Sequence, residues 1–125
     1  MNNYKAKGCI YVPQQQIMVS KQNEWIGSFG AGPCTILGIY HKHIGTLCGH
    51  IDATTTESYI NSELNKFIEL VKIKKIKLKE ITVIFTDSSD PDNEKLRTKI
   101  EQILLKNKIK INMITTVEST QLIIK

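Results

Sequence analysis

The sequence predicts an α+β fold, a layered sandwich in which an N-terminal antiparallel meander is followed by helix, strand, helix and strand. Two observations predict this class. The first half of the chain consists of short β-rich runs separated by polar or glycine-containing turns. The second half changes to apolar residues at helical spacing. Because 125 residues is the size of one domain, we expect a single domain over residues 1–125.

The first half is predicted to form about five strands, since each run is short and bounded by turn residues. The first two runs are separated by Gln14 and Gln15, which indicates a hairpin, and the last two are joined tightly around Lys42. The five segments, in order, are GCIYVP, QIMVS, WIGSF, CTILGIYH and HIGTLCGHI.

The second half is predicted to contain two amphipathic helices. TTTE, Thr54–Glu57, has the form of a capping box and predicts a helix that runs on to about Lys74. Pro91, in SSDPDNE, suits the first turn of a second helix. The predicted strands are EITVIFTD between the helices and then IKINMITTV and TQLIIK, and the helical stripes are Ile60, Leu64, Phe67, Ile68 and Val71, then Leu96, Ile100, Ile103 and Leu104.

Charge and hydropathy argue against several classes of function. The formal net charge is +5, and much of it lies in KIKKIKLK, Lys72–Lys79. We interpret this run as a solvated helix end, where cations suit the carbonyl end of the dipole. A basic patch for nucleic acid or an acidic partner is the alternative. The single arginine, Arg97, and the lack of an aromatic platform argue against nucleic acid.

The chain is expected to be cytoplasmic and to have no membrane partner. No apolar run approaches the roughly 18 residues of a membrane span. The N-terminal MNNYKAKGCIYV lacks the apolar core of a signal peptide. Delivery as a secreted effector stays open, and an edge strand such as TQLIIK leaves the oligomeric state open too.

The three cysteines are an odd number, which favours reduced thiols over a disulfide framework. Cys34 follows a glycine-proline turn, GAGPC, and is the candidate nucleophile. Gly30 and Gly32 have no side chains and would let a substrate approach the main chain closely. Because Pro33 has no N–H, an oxyanion hole is expected to use the N–H of Cys34 plus a donor from elsewhere.

His50 is the expected base. In a hairpin that turns near Lys42, Cys34 and His50 would lie directly opposite each other, about 4.5–5.5 Å apart at Cβ. Ser28 is expected to orient the imidazole. Asp52, which lies on the same face of the strand as His50, is the alternative for this role and is also expected to bind substrate.

The remaining cysteines and histidines have structural interpretations. Cys9 and Cys48 are expected to be packing residues. A zinc site built from His41, His43, Cys48 and His50 is disfavoured, because His41 and His43 flank the turn at the far end of the hairpin from His50. We therefore expect no metal and no cofactor.

Residues 11–20 (YVPQQQIMVS) and 25–56 (WIGSFGAGPCTILGIYHKHIGTLCGHIDATTT) resemble the protein N-terminal asparagine amidohydrolase family. The spacing of Ser28, Cys34 and His50 is also similar to that in chemotaxis receptor glutamine deamidases and necrotizing-factor-type toxins. Pro33 departs from the small polar residue that is usual in the first family. The resemblance implies a thiol hydrolase, with Cys34 as nucleophile, His50 as base and Ser28 as the orienting group.

The sequence thus predicts a cysteine-dependent deamidase that acts on an Asn or Gln carboxamide in a peptide or protein. The Asn is N-terminal if the resemblance extends to substrate. A non-catalytic protein-binding domain that uses its basic face is the alternative function.

Overall fold

The computed structural model describes residues 8–87, 90–109 and 114–125. Strands and helices are both present, so the predicted α+β class is confirmed. The elements are the strands β1 (Ile10–Tyr11), β2 (Ile17–Val19), β3 (Ile26–Ser28), β4 (Thr35–His41) and β5 (Gly45–Ile51), then α1 (Glu57–Ile73), β6 (Thr82–Asp87), α2 (Pro91–Lys106), β7 (Ile114–Glu118) and β8 (Leu122–Ile124), with one 3₁₀ turn at Leu78–Glu80.

The strands form two sheets that make a layered domain with the helices. The larger sheet has the order β2-β5-β4-β6-β7, and the smaller has the order β1-β3-β8. One apolar cluster joins a face of the larger sheet to both helices, for example through Leu37, Phe67 and Ile100. A second cluster, including Ile26 and Ile36, lies between the two sheets. The central strands β4 and β5 are therefore covered on both faces.

The predicted N-terminal meander was wrong in its strand pairing. Only β4 and β5 form a hairpin among the first five strands. β1 pairs in parallel with β3 in the small sheet, whereas β2 pairs antiparallel with β5 in the large one. Chain proximity across Gln14 and Gln15 suggested a hairpin, but this segment instead carries the chain from one sheet to the other.

Both helices begin close to the predicted positions. The N-cap of α1 is Thr56, whose hydroxyl accepts from the N–H of Tyr59, so the predicted box beginning at Thr54 does not form. The N-cap of α2 is Asp90, and Pro91 occupies its first turn as predicted. The last predicted strands correspond to β7 and β8, although residues 110–113 lie outside the described part.

The basic run begins at the end of α1, where Lys72 forms an ion pair with Glu69 at 3.6 Å. In the described ranges, neither helix combines the length and apolar character that crossing a bilayer requires.

Two glycines that β8 approaches closely give a test of the packing: Gly27 is paired with β8 within the small sheet, and Gly38 contacts it from the large sheet. A Cβ at Gly27 would lie 2.5 Å from the backbone oxygen of Leu122, and one at Gly38 would lie 2.5 Å from the terminal methyl of Ile124. A backbone oxygen moves less readily than the terminal methyl of a side chain. Gly27→Ala should therefore lower the free energy of unfolding by about 1–3 kcal/mol, and Gly38→Ala by less. Urea denaturation measures both; a larger loss for Gly38→Ala would contradict this packing.

Candidate active site

The register of the β4–β5 hairpin relates Cys34 to His50. Ile36 lies opposite His50, and Cys34 precedes Ile36 by two residues. The prediction that Cys34 directly faces His50 was therefore wrong, and Cys34 is instead its diagonal neighbour. Diagonal neighbours lie about 7–8 Å apart, somewhat less between Cβ atoms, which is within reach of a long or aromatic side chain.

The turn explains this difference. His41 pairs with Gly45, so the loop is Lys42–Ile44 and the hairpin is centred on residue 43, not 42. Moving the centre by one residue moves the partner of Cys34 by two. Because side chains alternate with period two, a shift of two residues leaves Cys34 and His50 on the same face of the sheet.

Ser28, the predicted orienting residue, forms a hydrogen bond with the imidazole of His50. Its hydroxyl oxygen lies 2.7 Å from Nδ1 of His50 and 2.6 Å from the carbonyl oxygen of Val12. A carbonyl only accepts, so the single hydroxyl proton of Ser28 is donated to Val12. Ser28 must then accept a proton from Nδ1, which leaves the lone pair of Nε2 on the other side of the ring.

His50 is held in the layer between the sheets. Its backbone N–H donates to the carbonyl of Gln16, and its carbonyl accepts from the N–H of Gln15. The residue is 3% exposed, and Nε2 makes no hydrogen bond to any residue in the described ranges. Burial lowers the pKa of His50 below its ordinary value, although the charge of Asp52 acts in the opposite direction. The imidazole is therefore neutral at pH 7.

Cys34 lies at the end of the turn that precedes β4, in the inter-sheet cluster. Its backbone N–H donates to the carbonyl of Ala31 within the turn. The turn already uses this N–H in the resting protein, and the expectation that it serves an oxyanion stays a prediction. Burial raises the pKa of the Cys34 thiol, and the charges of Asp52 and Asp90 raise it further. At rest Cys34 is a neutral thiol.

Asn93 is a site residue that the sequence reasoning missed. It lies in the first turns of α2, is fully buried, and donates from Nδ2 to the carbonyl of Cys34 at 2.7 Å. Its Oδ1 accepts from Nε of Arg97 at 2.8 Å, and Arg97 pairs with Asp87 at 3.2 Å. A polar residue on the apolar stripe of α2, three residues before Leu96, was the signal in the sequence.

Asp52 organises the loop after β5 and makes no hydrogen bond to His50. Its Oδ1 accepts from the N–H and the hydroxyl of both Thr54 and Thr55, and its Oδ2 accepts from Nε2 of Gln14 at 2.9 Å. Burial alone would raise the pKa of Asp52, but hydrogen bonds from Thr54 and Gln14 outweigh it and hold the pKa well below the usual range. Asp52 is therefore ionised at neutral pH.

The backbone conformation of the turn accounts for its two glycines. Gly30 and Gly32 have φ values of +72° and +35°, and a Cβ at either would meet nothing within 4 Å. A positive φ favours glycine without any need for substrate approach. Neither residue lines the cleft described below, and substrate binding by these glycines stays a prediction.

A cleft of about 400 Å³ opens beside the thiol. This volume lies within the range of small-molecule sites. Its walls come from the turn before β4, the loop after β5, the segment before β2, and one face of α2. The lining residues are Gln14, Pro33, Cys34, Asp52, Ala53, Thr54, Asp92, Lys95, Leu96 and Lys99.

The other cysteines and histidines lie elsewhere. Cys48 is fully buried between the sheets, and burial, with a smaller effect of Cys9, raises its pKa to about 12. His41 and His43 lie at the turn of the hairpin, at the opposite end from His50. Within the described ranges, no three His, Cys, Asp or Glu side chains come together as a metal site would require.

Comparison with known proteins gives this site no relatives: no protein-family model matches the chain, and no curated protein matches it significantly.

The tautomer of His50 is a direct consequence of the Ser28 contacts and can be measured. Long-range ¹H–¹⁵N correlation spectra should show the proton on Nδ1 and none on Nε2 in the neutral ring. In Ser28→Ala, Nδ1 loses its acceptor and the population with a proton on Nε2 should rise. His43, which is exposed, should not change. A wild-type His50 with its proton on Nε2 would contradict the assignment.

Proposed function

We propose that this protein is a cysteine-dependent amidohydrolase that converts a side-chain carboxamide of Asn or Gln in a peptide or protein into a carboxylate, with release of ammonia. The observation that carries the proposal is the bond between Ser28 and Nδ1 of His50. It leaves the opposite ring nitrogen as a base on the face of the sheet that also holds Cys34, and Cys34 opens to a cleft. A nucleophile, a base and an orienting group are the three parts that thiol catalysis requires.

The reaction begins when Sγ of Cys34 attacks the carboxamide carbon and its proton passes to Nε2 of His50. The tetrahedral intermediate then collapses, and the imidazolium donates this proton to the departing nitrogen, which leaves as ammonia. Water attacks the resulting thioester and gives one proton to Nε2. When the C–S bond breaks, that proton returns to the sulfur and a carboxylic acid is released, which ionises at neutral pH.

The pKa directions favour general-base catalysis over a preformed ion pair. Burial raises the pKa of Cys34 and lowers that of His50. Both partners are therefore neutral before the substrate binds, and the proton moves as the C–S bond forms. No hydrogen bond joins Sγ of Cys34 to Nε2 of His50 in the resting protein. Such contacts are often long without substrate and tighten when it binds.

The shape and charge of the cleft suit part of a peptide better than a free small amide. Asp52 and Asp92 offer negative charge, whereas Lys95 and Lys99 on α2 offer positive charge. A peptide main chain beside the reacting side chain would meet both signs. The narrower assignment to an N-terminal Asn rests on the resemblance of residues 11–20 and 25–56 to the N-terminal asparagine amidohydrolases.

Ammonia release from three peptides, bearing N-terminal Asn, N-terminal Gln or internal Gln, tests the proposal. The wild type should release ammonia from at least one of them. Cys34→Ala should abolish release because the nucleophile is lost. His50→Ala should lower it by about 10²–10⁴-fold, and Ser28→Ala by less, because an orienting group acts indirectly.

Cys48→Ala is the matched control, since Cys48 shares the face of β5 with His50 but lies away from the cleft. This variant should keep its activity once folding is verified by circular dichroism. A folded wild type that releases no ammonia from any peptide would contradict the proposal. If Cys9, Cys34 and Cys48 also reacted equally slowly with iodoacetamide, the protein-binding alternative would be favoured.

The pH profile of kcat/KM tests the neutral pair. The ordinary pKa values of histidine and cysteine are about 6.5 and 8.5. The acid limit of activity should lie below the first value, and the alkaline limit should lie above the second. The first limit follows from the lowered pKa of His50 and the second from the raised pKa of Cys34. The charge of Asp52 raises both pKa values, so Asp52→Asn should move both limits to lower pH. A narrow optimum between limits inside this interval would contradict the assignment.

A further inference from the structure

The proposed reaction lacks a donor for the developing oxyanion. As the C–S bond forms, negative charge accumulates on the carboxamide oxygen, and hydrogen-bond donors aimed at it lower the barrier. The backbone N–H of Cys34, the nearest donor in the chain, is already bonded to the carbonyl of Ala31. A donor from another part of the cleft is therefore required.

Gln14 offers a side-chain donor in the same cleft. It precedes β2 and lines the same cleft as Cys34. Its Nε2 donates to Oδ2 of Asp52 at 2.9 Å. A carboxylate only accepts, so the nitrogen and not the oxygen of the Gln14 amide must face Asp52. The second proton on Nε2 remains for another acceptor.

We propose that Gln14 donates this second Nε2 proton to the carboxamide oxygen of the substrate as Cys34 attacks. The inference rests on the proposed amidohydrolase function. Asp52 acts as a positioning residue, because its carboxylate orients the Gln14 amide and is itself held by Thr54 and Thr55. The bond to a negative carboxylate also means that the donor is in place before the substrate arrives, as oxyanion stabilisation requires.

Gln15 is a natural control. It is adjacent in the chain and its Nε2 also donates to the loop after β5, to Oγ1 of Thr54 at 2.6 Å. Gln15 does not line the cleft. The two glutamines therefore tie the same loops together, and only Gln14 can reach a substrate bound at Cys34.

The test compares Gln14→Ala and Gln14→Glu with Gln15→Ala, using whichever peptide the wild type deamidates. Both Gln14 variants should lose kcat by about 10²-fold or more, with KM changed by only a few fold. Gln15→Ala should keep its kcat. Modification of Cys34 by methyl methanethiosulfonate, which creates no oxyanion, should proceed at the wild-type rate in all of them.

A peptide in which an aldehyde replaces the side-chain carboxamide gives a second readout, because Cys34 adds to it reversibly and forms a tetrahedral hemithioacetal whose oxygen occupies the position of the oxyanion. Its affinity should fall in both Gln14 variants in parallel with kcat. Unchanged kcat in Gln14→Ala would overturn the inference and leave the amidohydrolase proposal standing. An equal loss in thiol modification and kcat would also overturn it, since Gln14 would then act by shaping the turn at Cys34. A wild type with no peptide turnover would remove both proposals.

Discussion

The hydroxyl of Ser28 is the interaction on which the candidate site depends. A serine has one proton to donate, and the carbonyl of Val12 at 2.6 Å takes it. The hydroxyl oxygen can then only accept from Nδ1 of His50, at 2.7 Å. One backbone carbonyl in the small sheet thus decides which nitrogen of a ring in the large sheet carries the proton. No charged residue is needed for this, so the ring stays neutral while its orientation is fixed.

The layered architecture makes that interaction possible. Ser28 ends β3 of the small sheet, His50 lies near the end of β5 in the large one, and the two meet only because the sheets pack face to face. The absence of a side chain at Gly38 in the large sheet lets β8 of the small sheet approach closely. The same burial that excludes water from the ring raises the pKa of the Cys34 thiol. Orientation and acid–base character of the pair therefore have a common origin in the packing.

Sequence patterning was sufficient for some of this arrangement. Strand alternation was enough to place Cys34 and His50 on one face of the sheet. An error of one residue in the centre of the turn shifts the residue opposite Cys34 by two positions, and residues two positions apart lie on the same face. The six-residue spacing from Ser28 to Cys34 pointed to Ser28 as the orienting residue. Asp52 was the rival, and its oxygens are bonded to Gln14, Thr54 and Thr55.

Other features lay beyond sequence reasoning. The division of the first strands between two sheets depends on long-range pairing, which the local pattern around Gln14 and Gln15 does not contain. Asn93 was visible only as a polar interruption of a helical stripe, and its contact with the carbonyl of Cys34 spans 59 positions. The directions of the pKa shifts of Cys34 and His50 follow from burial in the folded chain, and that of Asp52 follows from its hydrogen bonds, neither of which the local pattern contains.

The central claim is that Cys34, served by a base whose tautomer Ser28 selects, forms a covalent bond with a carboxamide carbon. Rapid acid quenching during turnover of a carboxamide peptide, followed by mass spectrometry of the digested protein, measures this directly. We expect a fragment containing Cys34 whose mass is increased by that of the peptide less ammonia, and hydroxylamine should remove this added mass. Turnover with no such adduct, or with the adduct on Cys9 or Cys48, would contradict it.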